Sequence, residues 1–264
     1  MSFSTDWLEL REPADMRARN LDVLQIVRQH FQNSKTLHIT DLACGAGSTL
    51  MSLNSVFLAQ PNWTLVDYDP ALLNRANERA KSAHIKIKTQ QADLNTDLKN
   101  VFETKADLVT CSAFLDLVSK EWLDTLIKEL KQRKLPFYAA LTYDGRTTCQ
   151  PPHAADLDIL EAVNQHQLSD KGFNSAMGPN AAATSIAKLK QAGFKVVSGY
   201  SDWQLLPDEG LLQAMLIDGW AHAATETKLL NLEIVEDWKD WRMTRAASQT
   251  STISVGHVDI FAHL

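Results

Sequence analysis

The segment 38–50, HITDLACGAGSTL, combines residue types that together bind a nucleotide-like ligand. A short apolar run leads into Asp41, and Gly45 and Gly47 follow at a spacing typical of a tight turn between a strand and a helix. Such a turn presents a helix N-terminus to anionic or polar ligand groups. Asp67 follows Gly47 by 20 positions, where doubly wound folds place the acidic residue that binds ribose hydroxyls, with Asp69 as its competitor. The spacing therefore predicts a nucleoside site.

Two features argue against a dinucleotide at this site. The run GAGSTL has Leu50 where the third glycine of a dinucleotide loop packs the helix against the strand. Asp41 directly precedes the turn, so its carboxylate would repel a pyrophosphate and attract an ammonium group. Ribose hydroxyls and an ammonium group without a pyrophosphate describe S-adenosylmethionine, and an NAD-dependent dehydrogenase is disfavoured.

Four motifs carry a resemblance to class I S-adenosylmethionine-dependent methyltransferases. DLACGAG resembles the first motif of that family, with Ala43 where many members have glycine. LVDYDPALL is similar to the ribose motif, QQADLN to the adenine-contacting turn, and ADLVTCSAFLDLVS to the strand and loop under the methionyl end. The resemblance covers about residues 35–200, and the closing VGHVDIFA is similar to the family's last strand.

The resemblance implies S-adenosyl-L-methionine as cofactor and a set of binding residues at the matching positions. These residues are Asp41, Ala43, Gly45 and Gly47 for the methionine moiety, Asp67 and Tyr68 for the ribose, Ala92 and Asp93 for the adenine, and Ser112 and Ala113 beside the sulfonium. Asp93 is alternatively a helix N-cap. Asp116 and Ser119 are interpreted as loop or cap residues rather than ligands.

The N-terminal segment 10–20, LREPADMRARN, resembles the lid helix that covers the cofactor in many such enzymes. Arg17 is predicted to pair with the methionine carboxylate, with Arg11 and Arg19 as the other candidates, because a guanidinium binds a carboxylate through two parallel hydrogen bonds. The alternative is that these are surface arginines of an amphipathic helix.

Strand-like and helix-like segments alternate along residues 37–145 and resume after residue 180, which indicates a parallel sheet with crossover helices. The predicted fold is α/β, a doubly wound seven-stranded sheet that is mostly parallel with an antiparallel last strand. Predicted strands are 37–41, 63–67, 84–88, 107–111, 136–142, 194–198 and 252–262, the last in two pieces around Gly256. Predicted helices are 48–58, 70–82, 120–133, 155–166, 180–191, 209–224 and 231–246.

The chain is expected to form a single methyltransferase domain over residues 1–264. Its parts are N-terminal lid helices at 1–34, a cofactor-binding core at 35–145, a helical substrate-side insertion after strand 5 at 146–180, and the remaining sheet with two extra helices at 181–264.

Methyl transfer from a sulfonium needs alignment, exclusion of water and, for a poor nucleophile, a base. The loop-rich stretch after the fifth strand is predicted to lie at the mouth of the ligand crevice. It supplies His166, Tyr143 and Asp170 as catalytic candidates and Arg146, Lys171 and Asn174 as substrate-binding candidates. Structural histidines and ion pairs to Asp144 and Asp170 are the alternative interpretations.

The acceptor is expected to be a polar small molecule, because this stretch mixes charged, amide and glycine residues. TYDGR, HQLSDKGFNSAMGP and SDWQL together resemble a group of bacterial methyltransferases. No metal-ligand cluster is visible in the sequence, so no metal is expected.

A formal charge of −6 and a pI near 5.7 disfavour a nucleic-acid partner, which would need a basic face. No stretch approaches the about 20 apolar residues of a membrane span, and the N-terminus lacks the apolar core of a signal peptide. Three cysteines without a CxxC pattern suit reduced thiols, so a cytoplasmic protein is expected.

Two other functions use the same fold. The cofactor could serve another transfer, of the aminopropyl or carboxymethyl type, because a fold does not determine its chemistry. A non-catalytic cofactor-binding subunit predicts eroded ligand loops, whereas Asp41, Gly45, Gly47 and Asp67 are all present. The tryptophans of the two C-terminal helices are interpreted as core residues, and a homodimer through these helices stays open.

Overall fold

An eight-stranded mixed sheet forms the centre of the computed structural model, which describes residues 5–264. Its strands are β1 His38–Leu42, β2 Asn62–Asp67, β3 Ile87–Gln91, β4 Leu108–Ser112, β5 Phe137–Gln150, β6 Lys195–Tyr200, β7 Trp203–Leu205 and β8 Thr252–His263. The order is β3-β2-β1-β4-β5-β8-β6, with β7 paired to β8. The first five strands of that order are parallel, and β8 is antiparallel to β5, β6 and β7.

Helices cover both faces of this sheet. They are α1 Thr5–Ala18, α2 Leu21–His30, α3 Ser48–Leu53, α4 Pro70–Ser82, α5 Leu98–Val101, α6 Lys120–Arg133, α7 Asp156–Gln167, α8 Ala181–Gln191, α9 Gly210–Thr227 and α10 Leu232–Ala247. The core on one face joins the sheet to α2, α3, α4, α7, α9 and α10, and the core on the other face joins it to α5, α6 and α8. This confirms the doubly wound fold with an antiparallel last strand.

Side-chain caps determine where several helices begin. The Asp69 carboxylate accepts from the Ala71 N–H at 2.8 Å, and Pro70 follows it in the first turn of α4. The Ser119 hydroxyl accepts from the Trp122 N–H at 3.2 Å at the start of α6, which confirms Ser119 as a cap. Helices α4 and α6 span the predicted residues.

The topological switch point of the sheet lies between β1 and β4. Strands β2 and β3 lie on one side of β1, and β4 and β5 on the other. Loops leaving adjacent strands in opposite directions open a crevice at the carboxyl ends of the strands. Asp67 and Ser112 end β2 and β4 at that crevice, and Asp41 is the last residue but one of β1.

Strand β5 is longer than predicted. The sequence indicated an end at Thr142 and a loop from there, but the strand continues to Gln150 and pairs with β8 across two register shifts. Gly145, at φ +86°, suggested a turn and instead belongs to this irregular strand. The insertion therefore begins after Gln150.

Strand β8 runs unbroken through Gly256, where the sequence predicted a division. A Cβ at Gly256 would lie 2.3 Å from Asp144 Oδ1, so the glycine allows the irregular part of β5 to pack against this strand. The eighth strand, β7, was not predicted. It contains three residues and forms only by pairing with β8.

Several other boundaries differ from the prediction, among them the end of α3 and the start of β3. Helix α3 ends at Leu53 rather than at residue 58, and the Asn54 carboxamide just beyond it accepts a hydrogen bond from the Trp63 indole at 3.2 Å. Strand β3 begins at Ile87 rather than at residue 84, because His84 is at φ +58° and lies in the turn that follows α4.

Among residues 5–264, no helix combines the length and apolar character needed to cross a membrane. Cys44, Cys111 and Cys149 are free and buried.

Candidate active site

A cavity of about 370 Å³ opens at the carboxyl ends of β1, β2 and β4. It is lined by nine of the residues that the sequence analysis selected: Ala43, Gly45, Asp67, Tyr68, Ala92, Asp93, Ser112, Ala113 and Lys171. Eight others lie outside its lining: Arg17, Asp41, Gly47, Tyr143, Arg146, His166, Asp170 and Asn174. The motif residues thus gather at one cavity, whereas most residues selected in the insertion do not.

The glycine loop has a backbone that side chains rarely allow. Gly45 and Gly47 have φ values of +53° and +84°, both in the left-handed region. A Cβ on Gly47 would lie 3.3 Å from the Ala76 Cβ, so the glycine also lets α4 approach the loop. The two glycines are therefore required by the fold of the loop, and only Gly45 also reaches the cavity.

Asp67 joins the end of β2 to the glycine loop. Its Oδ2 accepts from the Gly45 N–H at 2.8 Å, and its Oδ1 accepts from the Asp69 N–H at 3.0 Å. Burial raises the pKa of this carboxyl, and these backbone donors oppose the shift. Each oxygen keeps further acceptor capacity towards the cavity, which is what a pair of ribose hydroxyls requires.

An apolar slot adjoins Asp67. Leu72, Ala92, Leu94 and Phe114 line it, and Asp93 lies at its edge. The Asp93 Oδ1 accepts from the Asn95 N–H at 2.9 Å, so Asp93 does cap the turn after β3 while its carboxylate also lines the cavity. A flat base with an exocyclic amino group fits a slot with this lining.

Asp41 lies one layer below the cavity rather than in its wall. The Thr110 hydroxyl donates to Asp41 Oδ1 at 2.7 Å, while Oδ2 is buried without a hydrogen-bond partner. Burial raises the Asp41 pKa to about 7, against the opposing effects of Thr110 and the Arg19 charge. Asp41 can therefore act on a ligand in the cavity only through its electrostatic field, or by direct contact if the lining residues move.

Arg19 is also outside the lining and contacts one residue of the cavity wall. Its Nη2 is 3.4 Å from the Ser112 hydroxyl, and its buried Nε and Nη1 have no hydrogen-bond partner in residues 5–264. The spare acceptor of Asp41 and the spare donors of Arg19 complement the ammonium and carboxylate of a methionine moiety. Because neither group lines the cavity, they would meet a methionine moiety of S-adenosylmethionine only after a shift of the residues between them and the cavity.

Helix α1 covers the cavity from the N-terminal side. Leu8, Arg11 and Asp15 line the cavity from this helix, and Arg11 binds Asp15 through two hydrogen bonds of 3.0 and 3.1 Å. Arg17, which was predicted to meet the methionine carboxylate, instead pairs with Glu209 at 2.6 Å and lies outside the lining. The arginine of this helix at the cavity is Arg11, because its side chain is on the inner face.

The insertion covers the cavity from the opposite side with Lys171, Gly172 and Phe173. The Asp170 carboxylate accepts from the Gly172 N–H at 2.7 Å, which stabilises the turn that carries them. Phe173 packs edge-on against Phe114 at a centroid distance of 5.4 Å. Asp170 thus shapes this turn from outside the cavity, and Asn174, at φ +63°, is exposed beyond it.

The remaining candidates already have partners. His166 Nε2 is 2.8 Å from Glu226 Oε2, and His166 Nδ1 is 3.4 Å from Lys171 Nζ. The Tyr143 hydroxyl donates to Asn164 Oδ1 at 2.7 Å, and burial raises its pKa to about 12. In this arrangement neither group faces the cavity as a ready base.

Arg146 also has its partners outside the cavity. Its guanidinium binds Asp144 at 2.6 Å and Asp202 at 2.7 Å, and it lies over the Tyr200 ring at 4.4 Å. The structure thus contains the ion pair between Arg146 and Asp144 that the sequence analysis gave as the alternative to substrate binding. Within residues 5–264, no group of three or more His, Cys, Asp or Glu side chains has the arrangement of a metal site.

Residues 39–134 match the family model of a methyltransferase domain. The fold is the class I methyltransferase fold, and S-adenosylmethionine is the cofactor of that domain family. No curated protein matched the sequence.

Solved structures agree with this fold at low sequence identity. The YcgJ protein of Bacillus subtilis is 12% identical with a TM-score of 0.51, over 92% of this chain and 98% of that one. The cyclopropane synthase MmaA2 of Mycobacterium tuberculosis is 12% identical with a TM-score of 0.50, over 99% of this chain and 95% of that one. These likenesses describe the fold alone.

Proposed function

We propose that this protein is an S-adenosylmethionine-dependent methyltransferase that transfers a methyl group to an oxygen or nitrogen atom of a polar small molecule. The observation that carries the proposal is the meeting of the glycine loop, Asp67 and the Asp93 turn at one cavity. Outside the lining, Asp41 has a buried carboxylate oxygen without a hydrogen-bond partner, and Arg19, which contacts Ser112, has two such buried nitrogens.

The cofactor supplies an activated methyl group, so the protein's own work is to bind, orient and exclude water. Asp67 and Asp93 would hold the ribose and the adenine amino group, and Ser112 and Ala113 would lie beside the sulfonium. Helix α1 and the turn at Lys171 cover the cavity from two sides, which shields it from water.

Lys171 supports a polar acceptor. Its side chain is buried, yet it lines the cavity, and the one hydrogen-bond partner of its ammonium group in the described chain is the His166 Nδ1 atom at 3.4 Å. Burial lowers the Lys171 pKa because it disfavours the charged ammonium. An anionic group of the methyl acceptor would stabilise that ammonium by forming an ion pair with it.

Titration calorimetry with S-adenosylhomocysteine tests the binding, and mass analysis of products from methyl-labelled S-adenosylmethionine tests the reaction. A product heavier by one methylene distinguishes methyl transfer from aminopropyl or carboxymethyl transfer. Absence of binding by the intact protein would refute the proposal, and binding without any transfer would favour a non-catalytic subunit.

The substitution Asp67→Asn tests the site directly. Asn keeps an acceptor for the Gly45 N–H but loses the charge, so the dissociation constant for S-adenosylhomocysteine should rise about 10- to 100-fold, as expected for hydrogen bonds to a charged group. Asp240→Asn, an exposed aspartate of α10, is the matched control and should bind as the wild type does. Equal affinities of the two variants for S-adenosylhomocysteine would show that the Asp67 charge does not contribute to cofactor binding.

A further inference from the structure

Among the described residues of the cavity lining, Lys171 is the cation without a carboxylate partner. The other two cations of the lining are Arg11 and Arg79, and each binds a carboxylate of α1 through two hydrogen bonds. Within residues 5–264, no carboxylate oxygen lies within the 4.0 Å of an ion pair with Lys171, and acidic residues act on it only at longer range. The Lys171 ammonium is therefore the cation of the lining that can still form an ion pair with a ligand.

His166 and Glu226 connect Lys171 to the protein surface. Lys171 belongs to the turn after α7, His166 to the last turn of α7, and Glu226 to the last turn of α9. His166 Nδ1 lies 3.4 Å from Lys171 Nζ, and His166 Nε2 lies 2.8 Å from Glu226 Oε2. Lys171 is buried, whereas the His166 side chain is 22% exposed and the Glu226 side chain is 52% exposed. The contacts thus lead from the cavity wall to the solvent.

These contacts determine which nitrogen of His166 carries the proton. An ammonium group has only donors, so Nδ1 accepts from Lys171. Nε2 then carries the proton and donates to the Glu226 carboxylate, and this hydrogen bond lowers the Glu226 pKa. A neutral imidazole in this tautomer occupies one N–H bond of the Lys171 ammonium and leaves its other two for a group in the cavity.

We propose that His166, oriented by Glu226, positions the Lys171 ammonium to bind a carboxylate of the methyl acceptor and thereby determines a preference for anionic acceptors. This inference rests on the proposed function and narrows its polar acceptor to a carboxylic acid, whose single negative charge matches the single charge of Lys171. His166 is a positioning residue in this assignment, because it contacts Lys171 and lies outside the cavity lining.

Two substitutions at one position separate this role from general packing. His166→Asn places a side-chain oxygen near the position of Nδ1, towards Lys171, whereas His166→Gln places its amide near the position of Nε2, towards Glu226. Lys171→Met removes the charge and keeps a long apolar side chain. Asp240→Asn, an exposed aspartate of α10, is the control.

The probes are 3-hydroxybenzoate and 3-hydroxybenzamide, which have nearly the same shape and differ by one charge. Titration calorimetry measures the dissociation constant of each probe for the complex of the protein with S-adenosylhomocysteine. Wild type and Asp240→Asn should bind the benzoate about 10- to 100-fold more tightly than the benzamide, as expected for a hydrogen bond between charged groups. Lys171→Met should bind the two probes equally.

The His166 variants should differ from each other. His166→Gln should lose about fivefold of the preference for the benzoate, because the acceptor that orients Lys171 is removed, and His166→Asn should keep most of it. Both variants should bind S-adenosylhomocysteine within about threefold of wild type, since the inference assigns no cofactor contact to His166. An equal preference in His166→Asn and His166→Gln would overturn the role of His166.

A second measurement needs no acid probe. Nitrogen-15 NMR of wild type labelled at histidine, at pH 8 and with S-adenosylhomocysteine bound, should show His166 with its proton on Nε2. Lys171→Met should shift the Nδ1 signal of His166, because the donor to that nitrogen is lost. A proton on Nδ1 in wild type would overturn the inference.

The two proposals fail differently. Wild type that does not bind S-adenosylhomocysteine refutes the proposed function. Wild type that binds S-adenosylhomocysteine but binds the two probes equally, or binds neither, refutes the inference alone.

Discussion

Asp41 is fully buried, and its pKa of about 7 lies above the value of 3.8 for a free aspartate. The folded protein therefore binds this proton more tightly than the unfolded chain. The contribution of the protonated group to stability is complete below pH 4 and is lost as the pH rises to about 7.

Asp41→Asn removes this titration. The free energy of unfolding of the variant, relative to wild type, should increase between pH 4 and pH 7 by an amount on the order of 4 kcal/mol and then level off. Urea unfolding of the ligand-free proteins at a series of pH values measures it. A difference that does not change with pH would show that Asp41 titrates normally in the folded protein.

At the residue scale, local sequence identified the residues that belong to motifs. Asp67 could be selected by its spacing of 20 positions from Gly47, and Asp93 by the QQADLN motif; both lie near the carboxyl ends of parallel strands, which meet at one edge of the sheet. Phe173 and Leu8 reach the cavity from segments far from the motifs, and no local pattern signals this.

At the scale of elements, helix α1 is fastened to the glycine loop by one arginine of α4. Arg79 binds Glu12 through two hydrogen bonds of 2.5 and 2.7 Å and donates from Nη1 to the Ala46 carbonyl at 2.9 Å. The same side chain therefore supports the cofactor loop and holds the helix that covers it.

Glu12→Gln should loosen this helix. A partly buried ion pair contributes about 1 kcal/mol, so the dissociation constant for S-adenosylhomocysteine should rise about fivefold, and tryptic cleavage at Arg11 and Arg17 should be faster. Glu9→Gln is the matched control, because Glu9 pairs with Arg75 on the exposed side of the same helix. Equal cleavage rates for the two variants would mean that Arg79 does not hold α1.

The elements themselves were predictable where packing agrees with local pattern. Helices α4 and α6 have clear caps and apolar faces, and their bounds were predicted correctly. Strand β5 past Thr142 was not, because Gly145 and the charged residues beside it are typical of a loop, and only β8 stabilises them in a strand.

At the scale of the molecule, Asp259 connects the N-terminal helices to the middle of the sheet. It is fully buried on β8 and accepts from the Tyr138 hydroxyl at 2.8 Å, the Leu141 N–H at 2.9 Å and the Asn20 N–H at 3.0 Å. Leu141 has φ +52°, so this carboxylate also stabilises the irregularity in β5.

Asp259→Asn should destabilise the whole protein by about 3 kcal/mol, because an amide nitrogen replaces one acceptor among three buried donors. For a chain of this size, that lowers Tm by about 6–12 °C. Calorimetry measures the change, with Asp240→Asn as the control. A Tm within 2 °C of wild type, about the shift expected for a surface substitution, would show that the three donors find other partners.

The doubly wound fold and the cofactor class could be predicted from the sequence, and most of the residues that it predicts to bind the cofactor line the cavity. These depend on strand ends and turns, which are local and repeat at regular spacing along the chain. Tertiary contacts were needed to show that Arg11 rather than Arg17 reaches the cavity and that His166 and Arg146 have partners outside it. A side chain's partners come from segments distant in sequence, and the reactivity of a carboxylate depends on those partners and on its burial.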